Sequence, residues 1–206
     1  MSKPFKPWAF PADAIHISID LETAATDPHA AIVQIGAACY QHTTGHDITT
    51  PEVASFNIHI SLSHNEFHKR TVDKETMEWW DKQDRELCKR VFSGTAYLDT
   101  ALASFVDWCA TVSDGNLDRV VLWGNGCNFD NVILKDACEQ FMSWPFNFRN
   151  DHHLRTLMAL VPPDVQERAH ERFIAPPGTM PHDALYDALY QLNMIRTGLT
   201  YHGIHP

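Results

Sequence analysis

At 206 residues, 44% hydrophobic and 20% charged, the chain has the make-up of a globular domain with enough apolar residues for a full core. No apolar run approaches the ~20 residues that span a bilayer, and no signal-peptide core follows Met1, so a cytoplasmic protein without membrane contact is expected. The formal charge of −10 argues against a broad basic face for duplex nucleic acid, but not against a cleft whose carboxylates are balanced by bound cations. Cys39, Cys88, Cys109, Cys127 and Cys138 are scattered and form no CxxC pair. They read as reduced, mostly buried thiols and not as a zinc or disulfide framework.

Residues 1–14, with Pro4, Pro7 and Pro11, read as an irregular lead-in, and 15–200 as one domain. In Ile15–Thr23 apolar and polar residues alternate, which predicts a half-buried strand. Ile15, Ile17, Ile19 and Leu21 point to one side; His16, Ser18, Asp20 and Glu22 point to the other. Side chains two apart on a strand lie ~6.5–7 Å from each other, so the two carboxylates can converge on one small site. They repel unless a cation stands between them, and oxygen-only ligation suits Mg²⁺ or Mn²⁺. Two ordinary surface acids would leave the same pattern.

A loop over 24–29 and a second strand over 31–40 follow, then a turn-rich stretch at 43–52. Phe56, Ile58, Ile60 and Leu62 alternate with polar residues as a third strand, giving an antiparallel meander. Asp73 stands where it could cap a helix running through Met77, Trp80 and Leu87; Leu102, Phe105, Val106, Cys109 and Val112 have helical spacing. Val120-Val121-Leu122-Trp123 suits a strand buried on both faces. Gly124-Asn125-Gly126 breaks it, and a helix continues from Asp130 through Phe141. Pro162-Pro163 and Pro176-Pro177-Gly178 punctuate loops. A last helix starts near Asp183 with Leu185, Ala188, Leu189, Leu192 and Ile195 on one face. The class is α/β, with a mixed central sheet flanked by helices.

Three further residues bear on the acidic pair. Asp130 follows the buried strand, where sites of α/β sheets gather. Asp187 lies in the last helix, and His182 just before it could take a proton from water. Singly each has a plain explanation: a first-turn acid favoured by the helix dipole, a solvated helix face, one surface histidine of 13.

Jointly, Asp-x-Glu on the first strand, Asn128-Phe129-Asp130 opening a helix and His182-x₄-Asp187 in the last helix resemble the DEDDh 3′–5′ exonucleases. Asp20-Leu21-Glu22-Thr23 with residues 31–37, Trp79-Trp80-Asp81-Lys82-Gln83 and Leu154-Arg155-Thr156-Leu157 are similar to the phage-type, exonuclease VIII-like branch and to small RNase T-like exoribonucleases. One departure is His153, where relatives often carry Asp. The resemblance implies an RNase H-like fold, its mixed central β-sheet built from an antiparallel meander plus parallel strands and flanked by helices. It further implies that Asp20, Glu22, Asp130 and Asp187 hold two Mg²⁺ or Mn²⁺ ions ~3.5–4 Å apart, with Asp20 bridging them.

In that scheme His182 is the general base, and 5′-mononucleotides leave the 3′ ends of RNA or single-stranded DNA. Leu21, Thr23, Phe129 and Arg155 become candidate substrate contacts, and a homodimer is an expectation from relatives. Three other functions compete. One is a phage-type exodeoxyribonuclease, and another a catalytically silent RNase H-like binding module. The third is a transition-metal protein using His64-x₃-His68, His152-His153 or His202 and His205; it lacks an HExxH motif and cysteine partners.

Overall fold

In a computed structural model that describes residues 9–11, 13–40 and 52–204, the first strand, β1 (Ile15–Thr23), lies at the middle of the sheet. It pairs antiparallel with β2 (Ile32–Tyr40), which pairs antiparallel with β3 (Val53–His59). On its other edge it pairs parallel with β4 (Val120–Gly124), and β4 with the short β5 (Asp151–His153). The order is therefore β3-β2-β1-β4-β5, with the expected meander joined to parallel strands.

One face of β1 sends Ile15, Ile17, Ile19 and Leu21 into the main core, against α4 (Leu98–Val112) and α5 (Asp130–Glu139). Cys39, Cys109 and Cys138 are buried there, and all five cysteines are free thiols. The other face of β1 departs from the half-buried expectation. His16 and Ser18 are buried as well, because α8 (Ala184–Tyr201) lies across β1 and β2. Beneath α8, α6 (Leu154–Met158) and α7 (Pro163–Arg172) complete a second core with Val121 and Trp123. Phe10, in the expected lead-in, packs edge-on against His16 in this layer. Among the described residues no helix is long and apolar enough to cross a membrane.

Several elements differ from their sequence signals, each for a local reason. The third strand ends at His59, and Ile60 adds only a single bridge to Ala96. Leu62, expected in that strand, instead opens α1 (Leu62–Phe67), whose N-cap Ser61 accepts from the His64 N–H. Asp73 does cap a helix, but α2 (Lys74–Trp80) stops before Leu87. Asp84 accepts from the N–H groups of Glu86 and Leu87 and so starts a separate α3 (Arg85–Val91). Pro163 begins α7, since the first turn of a helix needs no N–H at that position. Except for Glu52, the turn-rich stretch at 43–52 lies outside the described residues.

Among the described residues, no histidine joins a group of three or more metal-ligating side chains. His64 Nδ1 accepts from the Leu98 N–H and its ring stacks on Tyr97. His152 packs with Phe10 and Trp123. His202 caps α8, and His205 lies outside the described residues.

Close backbone approach decides where α8 sits. A Cβ on Gly36 would collide with the carbonyl of Ala184 at the start of α8. Gly36 is the cross-strand partner of Asp20, so this contact seats α8 directly beside that residue. Gly36→Ala should therefore lower unfolding stability by about 1–3 kcal/mol in urea denaturation. A parent-like midpoint would show that α8 does not rest on this glycine.

Candidate active site

The polar face of β1, the first turn of α5 and the start of α8 meet at one end of the sheet. Asp20 and Glu22 come from β1 and Asp187 from the first turn of α8; one oxygen of each lies within 4.8 Å of the others. Asp130 lines the same cavity, of about 500 Å³, but its Oδ1 accepts from the Leu21 N–H at 3.2 Å. It thus ties the start of α5 to β1. Gly124 permits this approach, since a Cβ there would press on the Asn131 and Asp130 side chains.

His182 is exposed, and its N–H donates to Asp187 Oδ2 at 2.8 Å. Its ring stands edge-on to Trp79, with centroids 5.0 Å apart. The next residue, Asp183, is the N-cap of α8, as the sequence suggests. All five residues of the motif therefore border one cavity.

The other sequence candidates fall nearby in different ways. Leu21, Phe129 and Arg155 border the main cavity, and Leu21 and Phe129 also border an adjoining one of about 420 Å³. Thr23 lines only the second. Its hydroxyl donates to the Ala25 carbonyl at 2.7 Å and its carbonyl accepts from Trp80 Nε1 at 2.9 Å. Phe129 both packs on the core and faces the cavities. Trp80 is buried, whereas Trp79 is partly exposed along the second cavity.

Sequence reasoning missed Gln191. It lies one helical turn beyond Asp187, is 4% exposed, and donates from Nε2 to Asp20 Oδ1 at 2.7 Å. Its Oε1 is buried without a hydrogen-bond partner. The available signal is a lone polar residue in the otherwise apolar buried stripe of α8, spaced i+4 from Asp187.

Electrostatically the cluster is short of positive charge. Burial, then repulsion from Asp130, Glu22 and Asp187, holds the Asp20 carboxyl well above the usual carboxylate range, against the Gln191 amide. Burial and the Asp187, Asp183 and Asp130 charges push Glu22 up to about 9. Burial raises Asp130 to about 6, opposed by backbone N–H groups and the Arg155 charge. Asp187 is raised too, mainly by burial, against the His182 N–H. Four hard oxygen donors, short of counter-charge and open to a cavity, fit divalent cations of the Mg²⁺ and Mn²⁺ kind.

A mixed five-stranded sheet of this order, with an acidic cavity at the end of its central strand, is an arrangement suited to divalent-cation chemistry. A model of the Rv2179c-like 3′–5′ exoribonuclease domain matches residues 15–199, and the chain belongs to that family. It is also similar to the exodeoxyribonuclease of Enterobacteria phage T4, 25% identical over 207 residues, covering 89% of this chain and 88% of that protein. The fold matches the nuclease domain of 3′hExo, a DEDDh family member whose crystal structure has rAMP bound. That match has a TM-score of 0.56 at 13% identity and covers 95% of this chain and 96% of the other. The chain thus belongs to a 3′–5′ exonuclease family and has the fold of a DEDDh nuclease domain.

The raised carboxyl values carry a sign. A carboxyl whose folded-state value lies above its unfolded one favours folding least once ionised, so its contribution fades as pH rises. For Glu22 the window runs from 4.5 to about 9. Melting temperature in EDTA should therefore fall across that window. Added Mn²⁺ should raise it more at about pH 8 than at about pH 5, because ligation needs ionised carboxylates. A Mn²⁺ shift that is larger at the lower pH would refute this electrostatic account.

Proposed function

We propose that the protein trims RNA from the 3′ end, releasing 5′-mononucleotides, with Asp20, Glu22, Asp130 and Asp187 holding two Mg²⁺ or Mn²⁺ ions. The observation that carries this reading is the convergence of Asp20, Glu22 and Asp187 within 4.8 Å, in the cavity that Asp130 and His182 also line. Bound divalent cations supply Lewis-acid polarisation of a phosphate and lower the pKa of water. Asp20, which Gln191 orients and on which the Glu22, Asp130 and Asp187 charges all bear, would be the central member of that ligand set.

His182 accepts the proton of the attacking water on a ring nitrogen and, being exposed, passes it to solvent. Asp187 steadies the histidine through the backbone N–H rather than through the ring. Arg155 stands at the cavity as a cation for a substrate phosphate. The adjoining cavity, with Leu21, Thr23, Trp79 and Phe129 on its walls, is the seat assigned to the terminal nucleotide. The family's description favours RNA as substrate. The phage T4 relative, by its name an exodeoxyribonuclease, supports single-stranded DNA as the second reading. A reducing, cytoplasmic setting suits five free cysteines.

Incubation with 5′-end-labelled RNA and DNA, single- and double-stranded, in Mg²⁺ or Mn²⁺ tests polarity and substrate together. A ladder shortening from the 3′ end, fastest on single-stranded RNA, is expected; faster loss of DNA would move the assignment to the second reading. Asp20→Asn should abolish hydrolysis while the melting curve stays cooperative, and near-parent turnover in that variant would sink the site assignment. His182→Ala should cut kcat by about 10²–10⁴-fold with Mn²⁺ binding retained in calorimetry. Loss of Mn²⁺ binding with kcat intact at saturating metal would make His182 a ligand.

A further inference from the structure

The placement of His182 depends on contacts that none of the motif residues make. Its φ of 65° puts it among three non-glycine residues in the left-handed region, together with Lys69 and Asp114, among those described. Side chains with a Cβ resist that conformation, so the flanking chain must impose it.

Both flanks are fixed by residues from other elements. On the downstream side, Asp183 is 3% exposed and anchored from two directions. Its Oδ2 pairs with Arg90 Nε at 3.0 Å, while Oδ1 accepts from Gln34 Nε2 at 3.3 Å and from the Leu185 N–H at 3.1 Å. Gln34, fully buried on β2, also accepts the Ala184 N–H at 3.2 Å, and Asn57 orients it at 2.9 Å. On the upstream side, Arg90 Nη1 donates to the Gly178 carbonyl at 2.6 Å. Met180, between the two anchors, packs with Trp80, Leu87 and Val91.

We infer that Arg90 is a positioning residue for His182. One guanidinium on α3 clamps Gly178 and Asp183 together, and the short span between them is forced through the left-handed turn. That turn aims the His182 N–H at Asp187 and lays the ring against Trp79. An exposed ion pair does little, but this one holds a carboxylate that is almost fully buried. Gln34 alone cannot replace the clamp, because its two contacts to this segment, with Asp183 and the Ala184 N–H, both lie downstream of His182.

The inference rests on the reading of His182 as base, and a double-mutant cycle keeps the two apart. Arg90→Met should lower kcat by about 10- to 100-fold, as expected for a misplaced catalytic group. KM and the Mn²⁺ dissociation constant from calorimetry should change by less than about twofold, because the carboxylates themselves are undisturbed. In a His182→Ala background, Arg90→Met should have no further effect on kcat. Arg90→Lys, which keeps a charge near Asp183 but offers a single point of contact, should fall between parent and Arg90→Met. It also serves if the methionine variant does not melt cooperatively. Multiplicative losses in the double variant, a parent-like kcat in Arg90→Met, or an equal loss of Mn²⁺ affinity would each overturn the positioning role. A parent-like kcat in His182→Ala alone would overturn the base assignment instead.

Discussion

Four carboxylates, packed together and largely shut off from water, are the constraint on which the rest of the structure turns. Asp20, Glu22, Asp130 and Asp187 all sit above their usual ionisation range, with burial as the first cause at each. Such a cluster disfavours its own ionisation, and the chain offers only neutral or distant relief. A glutamine amide serves Asp20, a backbone N–H serves Asp130, and another serves Asp187. Among the described residues, Arg155 is the one arginine or lysine that borders the main cavity. The fold therefore arranges donors without neutralising them, which leaves the attraction for a cation intact.

Holding that cluster requires backbones to approach more closely than side chains allow. Parallel pairing of β1 with β4 sets Gly124 opposite Ile19, next to Asp20, and so delivers the start of α5 to the acidic strand. Antiparallel pairing with β2 sets Gly36 opposite Asp20, where α8 comes to rest. Two glycines flanking one aspartate on either side thus bring the remaining two helices within reach. Gly198 repeats the device farther along α8, admitting Leu157 of α6.

The sequence was legible where one residue type had one job. Alternation marked β1 and β3, a continuous apolar run marked β4, and Asp183 marked the start of α8. It misled where caps outvoted hydrophobic spacing: Ser61 and Asp84 start helices that periodicity assigns to a strand or to the preceding helix. The three-residue β5 is too short for any period to declare itself. At the site, the acids and histidine were readable as a spaced motif. Gln191 and Arg90 were not, because each acts through a partner far away in the chain, and only the packed helices bring the pairs together.

The two halves of the site differ in how firmly they are held. Asp20, Glu22 and Asp130 stand on the central strand and on a helix tied to it, both continuous with the main core. His182 stands on a loop, strained in its backbone and pinned by contacts from α3 and β2. In the proposed mechanism, metal holding and proton transfer therefore rest largely on different supports, joined at Asp187, which accepts the His182 N–H. Trp79 stands between them at the seat proposed for the nucleotide. It walls the adjoining cavity and touches the His182 ring, so a nucleotide seated there would press on the residue that flanks the base. Discrimination between sugars or bases in that cavity need not involve a contact to the differing atom. A shift of Trp79 would register as altered turnover with the cation cluster unchanged.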